Sequence, residues 1–519
     1  MRMMVQLPEA DWLGWHTARQ PDKAALHVVG GPSVSYAVLD DRASRLACWL
    51  RGLGLREGDT IGLLLDNDAR TVEMWWAARR AGLYFVPLGT RLKPAEIVYI
   101  LRDSGARALV AAPAFADLAA SARGECGTEG PAHWIMLGGA REGWTDLDGQ
   151  VATMPPTPFQ PSVTGREIIY SSGTTGRPKG IRRDLAPAAQ ARVIPAFEQK
   201  LRAACALDDS SIYLSVAPLY HATGRYLMRL IESGGTNVIL PHFDPAAALR
   251  AIANWRVTHS QWVPTMFTRL LALPLAERTA YDLSSHRVAL HAAAPCPIDV
   301  KRAMIDWWGP ILSEYYGGSE NAGVTFITST EWLEHPGSVG RSITGPIHIL
   351  DEEDGETELP PGTIGLIYFE GGVPFRYIGD QDAPAGAPDG YATYGDLGHV
   401  DRQGYLFISD RRSDLIIRGG VNIYPREVEM LLEAHPAVRE VAVIGLPDPE
   451  YGQRVAAIIC PRKQSVDPEQ LKAILLSYCR EHLASIKSPS FVDFIHELPR
   501  SENGKLLKRL LRDHYASIS

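Results

Sequence analysis

The 519-residue sequence lacks the features that mark disulfide-rich, membrane-spanning and nucleic-acid-binding proteins. Its six cysteines are scattered without a Cys-x-x-Cys pair, which favours free thiols in a reducing compartment over disulfides or a zinc site. No run approaches the roughly 18 apolar residues of a membrane helix, and the N-terminal segment lacks the apolar core and cleavage site of a signal peptide. The net charge of -8 is opposite in sign to that of a general nucleic-acid binder. We therefore expect a cytoplasmic protein with no membrane span and no nucleic-acid partner.

The pattern of apolar residues indicates an α/β protein. The chain is too long for one compact core, and its 45% hydrophobic and 22% charged residues are typical of globular proteins. Helical patterns at 35–55 and 71–82 each precede a strand-like run, TIGLLL and LYFVPL. This alternation predicts mainly parallel sheets, and it continues over 234–300. An acidic turn at 351–365 then opens a hairpin-rich stretch that reaches about residue 410.

Tryptophan is absent beyond Trp332, although the chain has twelve of them. A helix-then-strand pattern follows in PREVEMLLEAHPAVREVAVIGLPD, within this tryptophan-free region. We expect a large N-terminal domain of several lobes over 1–412, one of them β-rich, and a small α/β C-terminal domain over 413–519.

The stretch YSSGTTGRPKG, residues 170–180, combines small hydroxyl residues, glycines and a lysine. Such residues let backbone N–H groups crowd around an anion, and a lysine adds a mobile point charge. The stretch lacks the Walker A pattern, because Pro178 precedes Lys179 and Gly180 follows it. We interpret it as a loop over a polyphosphate; the alternative is a Gly/Ser linker between strands.

Three later stretches carry further polar candidates. In YYGGSE, Ser319 and Glu320 follow a glycine pair, and a carboxylate beside phosphates usually means Mg²⁺. Asp396 and Arg411 offer an acceptor and a donor for ribose hydroxyls. Lys505 lies on an Asn-Gly turn. Singly, each has an ordinary explanation: a capped turn, a solvated carboxylate or a surface lysine.

In this order the motifs resemble those of the AMP-forming acyl-CoA synthetase family, adenylate-forming enzymes related to nonribosomal-peptide adenylation domains and firefly luciferase. The resemblance extends from PDKAAL near residue 21 to GKLLKR near residue 505, and includes APLYHATG, HAAAP and DRRSDLIIRGGVNIYPREVE. It implies an acid–thiol ligase that uses ATP, Mg²⁺ and coenzyme A. A small carboxylic acid is first joined to AMP, and its acyl group then passes to the CoA thiol. A homodimer stays open.

The resemblance also implies residue roles. Lys505 bridges the carboxylate and the α-phosphate in the first step, Glu320 binds Mg²⁺, and Ser319 contacts the α-phosphate. The other implied nucleotide-binding residues are Ser171, Ser172, Gly173, Thr174, Thr175 and Lys179 at the phosphates, Ala293, Ala294, Pro295 and Tyr316 at adenine, and Asp396 and Arg411 at the ribose.

For the second step, the family rotates its C-terminal domain. Gly419 and Gly420 match positions where the backbone approaches CoA, and Ser413 occupies the hinge. The implied acyl pocket contains Trp262, Ala292, Gly317 and His221, the last at the acyl gate; for His221 a packed loop histidine is the alternative.

The sequence departs from the family pattern at several of these positions. Tyr394 stands where a threonine usually precedes Gly-Asp, Ala292 where glycine is frequent, Ser413 where lysine or aspartate is common, and Gln453 where glutamate is frequent. None of these departures removes a catalytic charge, so we expect the same reaction class. They leave open how efficient the enzyme is and how the rates of its two steps compare.

The acid is less well defined. The segments 220–228, 262–266 and 291–296 contain no acidic residue that could pair with the amino group of an amino acid. Because burying an unpaired charge is costly, an uncharged bulky acid is favoured. VPTMFTRLLALP, HAAAPCP and RRSDLIIRGGVNIYP resemble a bacterial subgroup linked to fatty, bile-acid and steroid carboxylates. We therefore expect a bulky apolar acid of the fatty, steroid or bile-acid-like, or terpenoid class. Aryl acids, a carrier-protein acceptor, thioesterification of supplied acyl-AMP, an oxygenase and a silent nucleotide-binding protein are the alternatives.

Overall fold

The computed structural model describes residues 11–139, 141–155, 161–171, 178–190, 193–352, 354–372, 375–379, 390–411, 414–418, 421–448, 451–462, 467–501 and 506–516, without the side chains of 171, 222–225, 227, 411 and 422. The chain divides into two compact units. The first comprises 1–262, 269–290 and 373–385; the second comprises 263–268, 291–372 and 386–519.

The α-helices are α1 Trp12–Arg19, α2 Tyr36–Gly52, α3 Ala69–Arg80, α4 Pro94–Asp103, α5 Ala116–Cys126, α6 Leu147–Val151, α7 Ala196–Ala204, α8 Ala222–Glu232, α9 Pro245–Trp255, α10 Pro264–Leu271, α11 Leu275–Arg278, α12 Ile298–Trp308, α13 Ser329–Glu334, α14 Pro425–Glu433, α15 Pro468–His482 and α16 Lys508–Ala516. Within the described ranges, no helix combines the length and the apolar character that crossing a bilayer requires.

The strands of the first half are β1 Ala24–Val28, β2 Ser33–Ser35, β3 Thr60–Leu64, β4 Tyr84–Pro87, β5 Ala106–Ala111, β6 His133–Met136, β7 Thr145–Asp146, β8 Arg166–Glu167, β9 Ile169–Ser171, β10 Lys179–Arg182, β11 Ile212–Ser215, β12 Thr236–Ile239 and β13 His259–Trp262. The remaining strands are β14 Val288–His291, β15 Leu312–Tyr316, β16 Thr325–Thr328, β17 Arg341–Ser342, β18 Ile347–Leu350, β19 Gly365–Glu370, β20 Arg376–Tyr377, β21 Tyr391–Ala392, β22 Asp396–Val400, β23 Leu406–Arg411, β24 Ile416–Arg418, β25 Val421–Ile423, β26 Val438–Asp448, β27 Gly452–Pro461 and β28 Phe491–Phe494.

Parallel pairing dominates the first unit, which confirms the prediction of mainly parallel sheets. One sheet has the order β7-β6-β5-β3-β4-β8 with every pair parallel. In another, β1, β12, β11 and β13 pair in parallel, and β2 adds antiparallel at the edge. Helices α2 and α3 cover these strands with Trp49, Trp75 and Trp76, which are at most 3% exposed. These three tryptophans are therefore core residues.

The second unit begins with antiparallel sheet and ends in a separate α/β layer. Strands β18, β19, β22 and β23 pair antiparallel in that order, and β21 pairs with β19. This is the predicted β-rich lobe. Towards the C-terminus, the long antiparallel pair β26–β27 carries β24 and β28 on β27. Helices α14 and α15 pack on one apolar cluster of this sheet and α16 on another.

A buried ion pair joins α16 to α14 within the second unit. Lys508 Nζ lies 2.8 Å from Glu429 Oε1, and the two side chains are only 11% and 6% exposed. The same carboxylate accepts a hydrogen bond from the buried N–H of Val443, at 2.9 Å. Burial lowers the pKa of Lys508, but Glu429, Asp410 and Asp414 outweigh it and raise that pKa. The ammonium is therefore charged, and it neutralises a carboxylate that has little access to water.

Lys508→Ala is expected to destabilise this layer by about 3 kcal/mol, since buried Glu429 would lose its nearest counter-charge and keep only the longer ion pair with Arg426, at 3.6 Å. Hydrogen exchange measures the effect directly: amides of β26 and β27 should exchange at least about 10²-fold faster than in the wild type. Arg509→Ala is the matched control, because Arg509 and its partner Asp513 are both more than half exposed, at 53% and 61%. Equal exchange in the two variants would contradict a stabilising role for the buried pair.

Candidate active site

The glycine-rich stretch at 170–180 is bounded by paired strands. β9 and β10 are antiparallel, with Ser171 opposite Lys179 and Tyr170 opposite Gly180. The Tyr170 hydroxyl donates to Asp103 at 2.6 Å, and burial together with this carboxylate raises the pKa of Tyr170. The hydroxyl of Tyr99 donates to the carbonyl of Pro178 at 3.0 Å. Both ends of the stretch are thus anchored to α4, and residues 172–177 between them lie outside the described residues.

Lys179 lies at the start of β10, directly after the candidate phosphate loop. Its Nζ lies 5.1 Å from the centre of the Tyr377 ring, and its side chain is partly exposed. An ammonium over a ring face makes a cation–π contact, and a lysine ammonium carries three hydrogen-bond donors. The position is compatible with phosphate binding, which stays a prediction.

The predicted acyl-pocket residues of the first unit are largely buried. His221 precedes α8, and its ring meets Tyr220 edge-on at 4.5 Å. Its Nε2 is buried and has no hydrogen-bond partner among the described residues. Burial lowers the pKa of His221 to about 4, so the imidazole is neutral at physiological pH. Trp262 is fully buried, and its Nε1 donates to Ser260 at 2.6 Å. Both rings are uncharged, which is compatible with the predicted acyl pocket.

The predicted adenine and ribose residues of the second unit lie together. The Tyr316 hydroxyl donates to the Asp396 carboxylate at 2.5 Å, and Asp396 is 5% exposed. Asp396 and Arg411 are directly opposite each other in the β22–β23 pair. The Tyr316 ring, the Asp396 carboxylate and the strand position of Arg411 are therefore adjacent. Adenosine binding requires a ring face for the base, and an acceptor and a donor for the ribose.

Ser319 and Glu320 occupy the two central positions of a tight turn. The turn closes with a hydrogen bond from Asn321 N–H to the Gly318 carbonyl at 3.1 Å. Both side chains are partly exposed. A carboxylate oxygen is the ligand that Mg²⁺ prefers, and Mg²⁺ usually takes only one or two protein carboxylates besides substrate phosphates. Glu320 fits such an ion. No group of three or more His, Cys, Asp or Glu side chains suited to a metal occurs among the described residues.

The HAAAP segment contains a strained alanine. Ala293 has a φ of 76°, in the left-handed region that L side chains rarely adopt. Ala292 is buried, whereas Ala293 and Pro295 are exposed and Ala294 is partly exposed. Strained backbone persists only where surrounding contacts fix it, and such residues cluster at ligand sites. The observation is compatible with the predicted adenine contact of this segment.

A buried ion pair beneath this segment was not predicted from the sequence. Lys301 Nζ lies 2.6 Å from Glu314 Oε2, its ammonium lies 4.7 Å from the Trp332 ring centre, and His291 Nε2 is 3.6 Å from the same carboxylate oxygen. Burial raises the pKa of Glu314, and burial and Lys301 lower the pKa of His291. The pair links α12 to β15, two residues before Tyr316. Thirteen residues separate its partners, so no local pattern indicates it.

Several predicted site residues lie outside the described residues, and their roles stay predictions. They are Ser172, Gly173, Thr174, Thr175, Ser413, Gly419, Gly420 and Lys505. The positions of Ser171 and Arg411 are described only as strand residues. Gly317 is exposed and precedes the Ser319–Glu320 turn, and its pocket role is likewise untested.

Comparison with known proteins gives a consistent result over nearly the whole chain. The profile of the AMP-binding enzyme family matches residues 13–376, and that of the AMP-binding enzyme C-terminal domain matches 427–505. A feruloyl-CoA synthase of Amycolatopsis sp is 35% identical over 94% of this chain and 95% of its own length. A 2-succinylbenzoate–CoA ligase of Bacillus licheniformis is 32% identical, with 96% and 99% covered. The crystal structure of ATP-bound MatB from Rhodopseudomonas palustris superimposes with a TM-score of 0.82 at 29% identity, covering 98% and 99% of the two chains.

Ala293→Gly is expected to leave the protein as stable as the wild type or to stabilise it by up to about 1 kcal/mol. Glycine removes the cost of the left-handed conformation, while its greater freedom in the unfolded chain offsets part of the gain. Ala294→Gly is the matched control, because its φ is not in the left-handed region; it should lose roughly 0.5–1 kcal/mol. Urea unfolding measures both, and an equal loss in the two variants would show that Ala293 is not strained.

Proposed function

Because this chain belongs to the AMP-binding enzyme family, we propose that it is an AMP-forming acyl-CoA ligase. In the first step the carboxylate of the acid attacks the α-phosphorus of ATP. One acid oxygen becomes the bridge of acyl-AMP, and pyrophosphate leaves. In the second step the sulfur of CoA attacks the acyl carbon, AMP leaves with the bridging oxygen, and the thiol proton passes to solvent.

The observation that carries the proposal is the pairing of Asp396 with Tyr316 and Arg411. The Tyr316 hydroxyl donates to the Asp396 carboxylate and so helps to fix its orientation, and a carboxylate is the acceptor that a ribose hydroxyl needs. Arg411 adds donors from the directly opposite position of the neighbouring strand. An adenosine is recognised by this chemistry: a ring face for the base, an acceptor and a donor for the ribose.

The remaining roles follow from where negative charge builds up. Phosphoryl and acyl transfer need little covalent chemistry from the protein, so preorganised donors and cations supply most of the acceleration. Lys179 and the loop before it neutralise the β- and γ-phosphates. Ser319 contacts the α-phosphate, and Glu320 holds Mg²⁺, which when bound withdraws charge from the phosphate oxygens. Lys505 joins the acid carboxylate to the α-phosphate during the first step only.

The C-terminal residues serve the second step. We assign 413–519 as a domain that turns about Ser413, removes Lys505 and brings Gly419 and Gly420 to the pantetheine. A turn without side chains allows close approach of a thin ligand. The two half-reactions therefore depend on different residues of one chain.

A bulky apolar acid is the proposed substrate. His221 is neutral at physiological pH because its pKa is lowered to about 4, and Trp262 and Ala292 are apolar. An aryl acid is the second candidate, favoured by the relatives named for feruloyl and 2-succinylbenzoate substrates. An apolar acid and a feruloyl-type aryl acid share an uncharged body next to the carboxylate and differ in whether the body is flat, whereas 2-succinylbenzoate carries a second carboxylate.

A panel of acids tests the proposal. Fatty, steroid, cinnamic, benzoic and amino acids are incubated with ATP, Mg²⁺ and CoA, and acyl-AMP and acyl-CoA are measured by mass spectrometry. We expect thioester from apolar or aryl acids, with affinity rising by up to about 0.8 kcal/mol per buried CH₂ until the pocket is full. Turnover of amino acids alone would contradict the proposed substrate class. Acyl-AMP without thioester in every case would contradict CoA as the acceptor.

Lys505→Ala is expected to slow acyl-AMP formation by about 10²–10³-fold, the scale for deleting one preorganised donor. Its conversion of supplied acyl-AMP and CoA to thioester should be unchanged, because an interaction made in one transition state affects only that step. Lys472→Ala, on α15, is the control for removing a lysine from the C-terminal region. Stopped-flow measurement of each half-reaction checks this, and equal losses in both would exclude separate residue sets for the two steps.

A further inference from the structure

Tyr394 makes two kinds of contact with the segment that carries Ser319 and Glu320. Its hydroxyl forms hydrogen bonds with both backbone groups of Gly323, and its ring covers Gly318. We propose that Tyr394 is a positioning residue that fixes the Ser319–Glu320 turn for MgATP, and that Gly318 lacks a side chain because this ring fills the space. The inference rests on the proposed function, which gives the turn its substrate.

The Tyr394 hydroxyl is the hydrogen-bond partner of the buried backbone of Gly323, a residue that lies outside any helix or strand. Gly323 is buried between the turn and β16. The Tyr394 oxygen accepts from the Gly323 N–H at 3.2 Å and donates to the Gly323 carbonyl at 2.7 Å. Buried backbone groups need partners, and losing one costs about 1–3 kcal/mol. The Tyr394 hydroxyl therefore holds the backbone that follows the Ser319–Glu320 turn.

The hydroxyl keeps its proton at any working pH. Burial is the main cause that raises the pKa of Tyr394, to about 12, and Glu320 adds to it, although backbone hydrogen bonds from Gly323, Gly318 and Ala322 oppose the rise. The group can therefore donate and accept at once, as the two bonds to Gly323 require. Its proximity to Glu320 also places it beside the carboxylate proposed to hold the metal.

The Tyr394 ring packs against Gly318, the residue that precedes Ser319 and Glu320. A Cβ on Gly318 would lie 2.5 Å from Tyr394 Cε1 and 2.7 Å from Cδ1, closer than real Cβ atoms come. The φ of Gly318 is not in the left-handed region, so its backbone does not require glycine. What excludes a side chain is the ring, with the end of the Glu320 side chain 2.9 Å away as a second and more adaptable neighbour.

The position of the ring is itself fixed. It meets Tyr316 edge-on, with ring centres 5.5 Å apart, and Phe369 at 6.0 Å. Tyr316 in turn donates to Asp396, two residues after Tyr394. Tyr394 thus contacts both the proposed adenosine-binding residues, through Tyr316, and the Ser319–Glu320 turn. A threonine at this position could reach neither Gly323 nor the ring of Tyr316 in the same way, which accounts for the larger residue.

Binding of MgATP, measured by calorimetry, tests the hydroxyl. Tyr394→Phe keeps the ring and should weaken MgATP binding about tenfold, as expected for an unsatisfied buried peptide group. Adenosine affinity should stay within about twofold, because adenosine does not use the turn. Glu320→Gln is the positive control for loss of the metal contact. Tyr391→Phe is the matched control, since its hydroxyl has no hydrogen-bond partner among the described residues, and it should bind MgATP like the wild type.

A double-mutant cycle tests the ring. Gly318→Ala should weaken MgATP binding by at least about tenfold when Tyr394 is present, and by less than about twofold in a Tyr394→Thr background, which opens the space. Equal losses in the two backgrounds would overturn the steric part of the inference. Equal weakening of MgATP and adenosine by Tyr394→Phe would overturn positioning and indicate general destabilisation.

The experiments distinguish a failure of the proposed role of Tyr394 from a failure of the proposed ligase activity. If the wild type converts none of the acids to acyl-AMP, the proposed function fails, while MgATP binding still decides the role of Tyr394. If the wild type is active and Tyr394→Phe binds MgATP normally, the inference fails alone. In an active enzyme, Tyr394→Phe should slow acyl-AMP formation and leave thioester formation from supplied acyl-AMP within about twofold.

Discussion

Tyrosine hydroxyls hold two glycine-rich segments of this protein at their ends. Glycine supplies close backbone approach to a ligand but no side chain to pack, so the ordering of such a segment must come from its neighbours. Tyr170 and Tyr99 bind Asp103 and the Pro178 carbonyl at the ends of the candidate phosphate loop. Tyr394 binds both backbone groups of Gly323 beyond the Ser319–Glu320 turn. The Tyr99 and Tyr394 hydroxyls bond directly to backbone groups, and the Tyr170 hydroxyl bonds to a carboxylate of α4.

The C-terminal part of the second unit is organised by charge. Asp410 accepts from the N–H of Arg426 at 2.9 Å, and Arg512 lies 2.8 Å from Asp414. The proposed hinge residue, Ser413, falls between these two anchored aspartates. Lys508 neutralises Glu429 three residues after Lys505. A buried pair such as Lys508–Glu429 adds little net stability, but it is costly to break, so it favours one packing of α16 on α14.

The sequence predicts the architecture because local patterns determine it. Residues 35–55 have helical periodicity and a serine that caps α2, and TIGLLL is a fully buried strand, as its apolar run indicates. Asp396 and Arg411 were expected to act together, and the β22–β23 register places them opposite each other. Short motifs therefore suffice for the fold class, and the strand register is compatible with the predicted ribose contact of Asp396 and Arg411, which stays a prediction.

Long-range complementarity is what the sequence does not reveal. Tyr394 looks like a departure beside the ribose, yet its partner Gly323 is 71 residues earlier, and the glycine that accommodates its ring belongs to another motif. The left-handed conformation of Ala293 is equally hidden, because alanine gives no signal for a positive φ. The buried pair of Lys301 and Glu314 needs α12 and β15 to be packed before it exists.

In the proposed reaction the acid itself attacks the α-phosphorus of ATP. An acid labelled with ¹⁸O in both carboxylate oxygens tests it, with ATP, Mg²⁺ and CoA and with mass spectrometry of every product. The mechanism predicts one ¹⁸O atom in the AMP released, one ¹⁸O in the acyl-CoA and none in pyrophosphate. Unlabelled AMP, or label in inorganic phosphate together with ADP, would contradict an acyl-AMP intermediate and with it the assigned reaction.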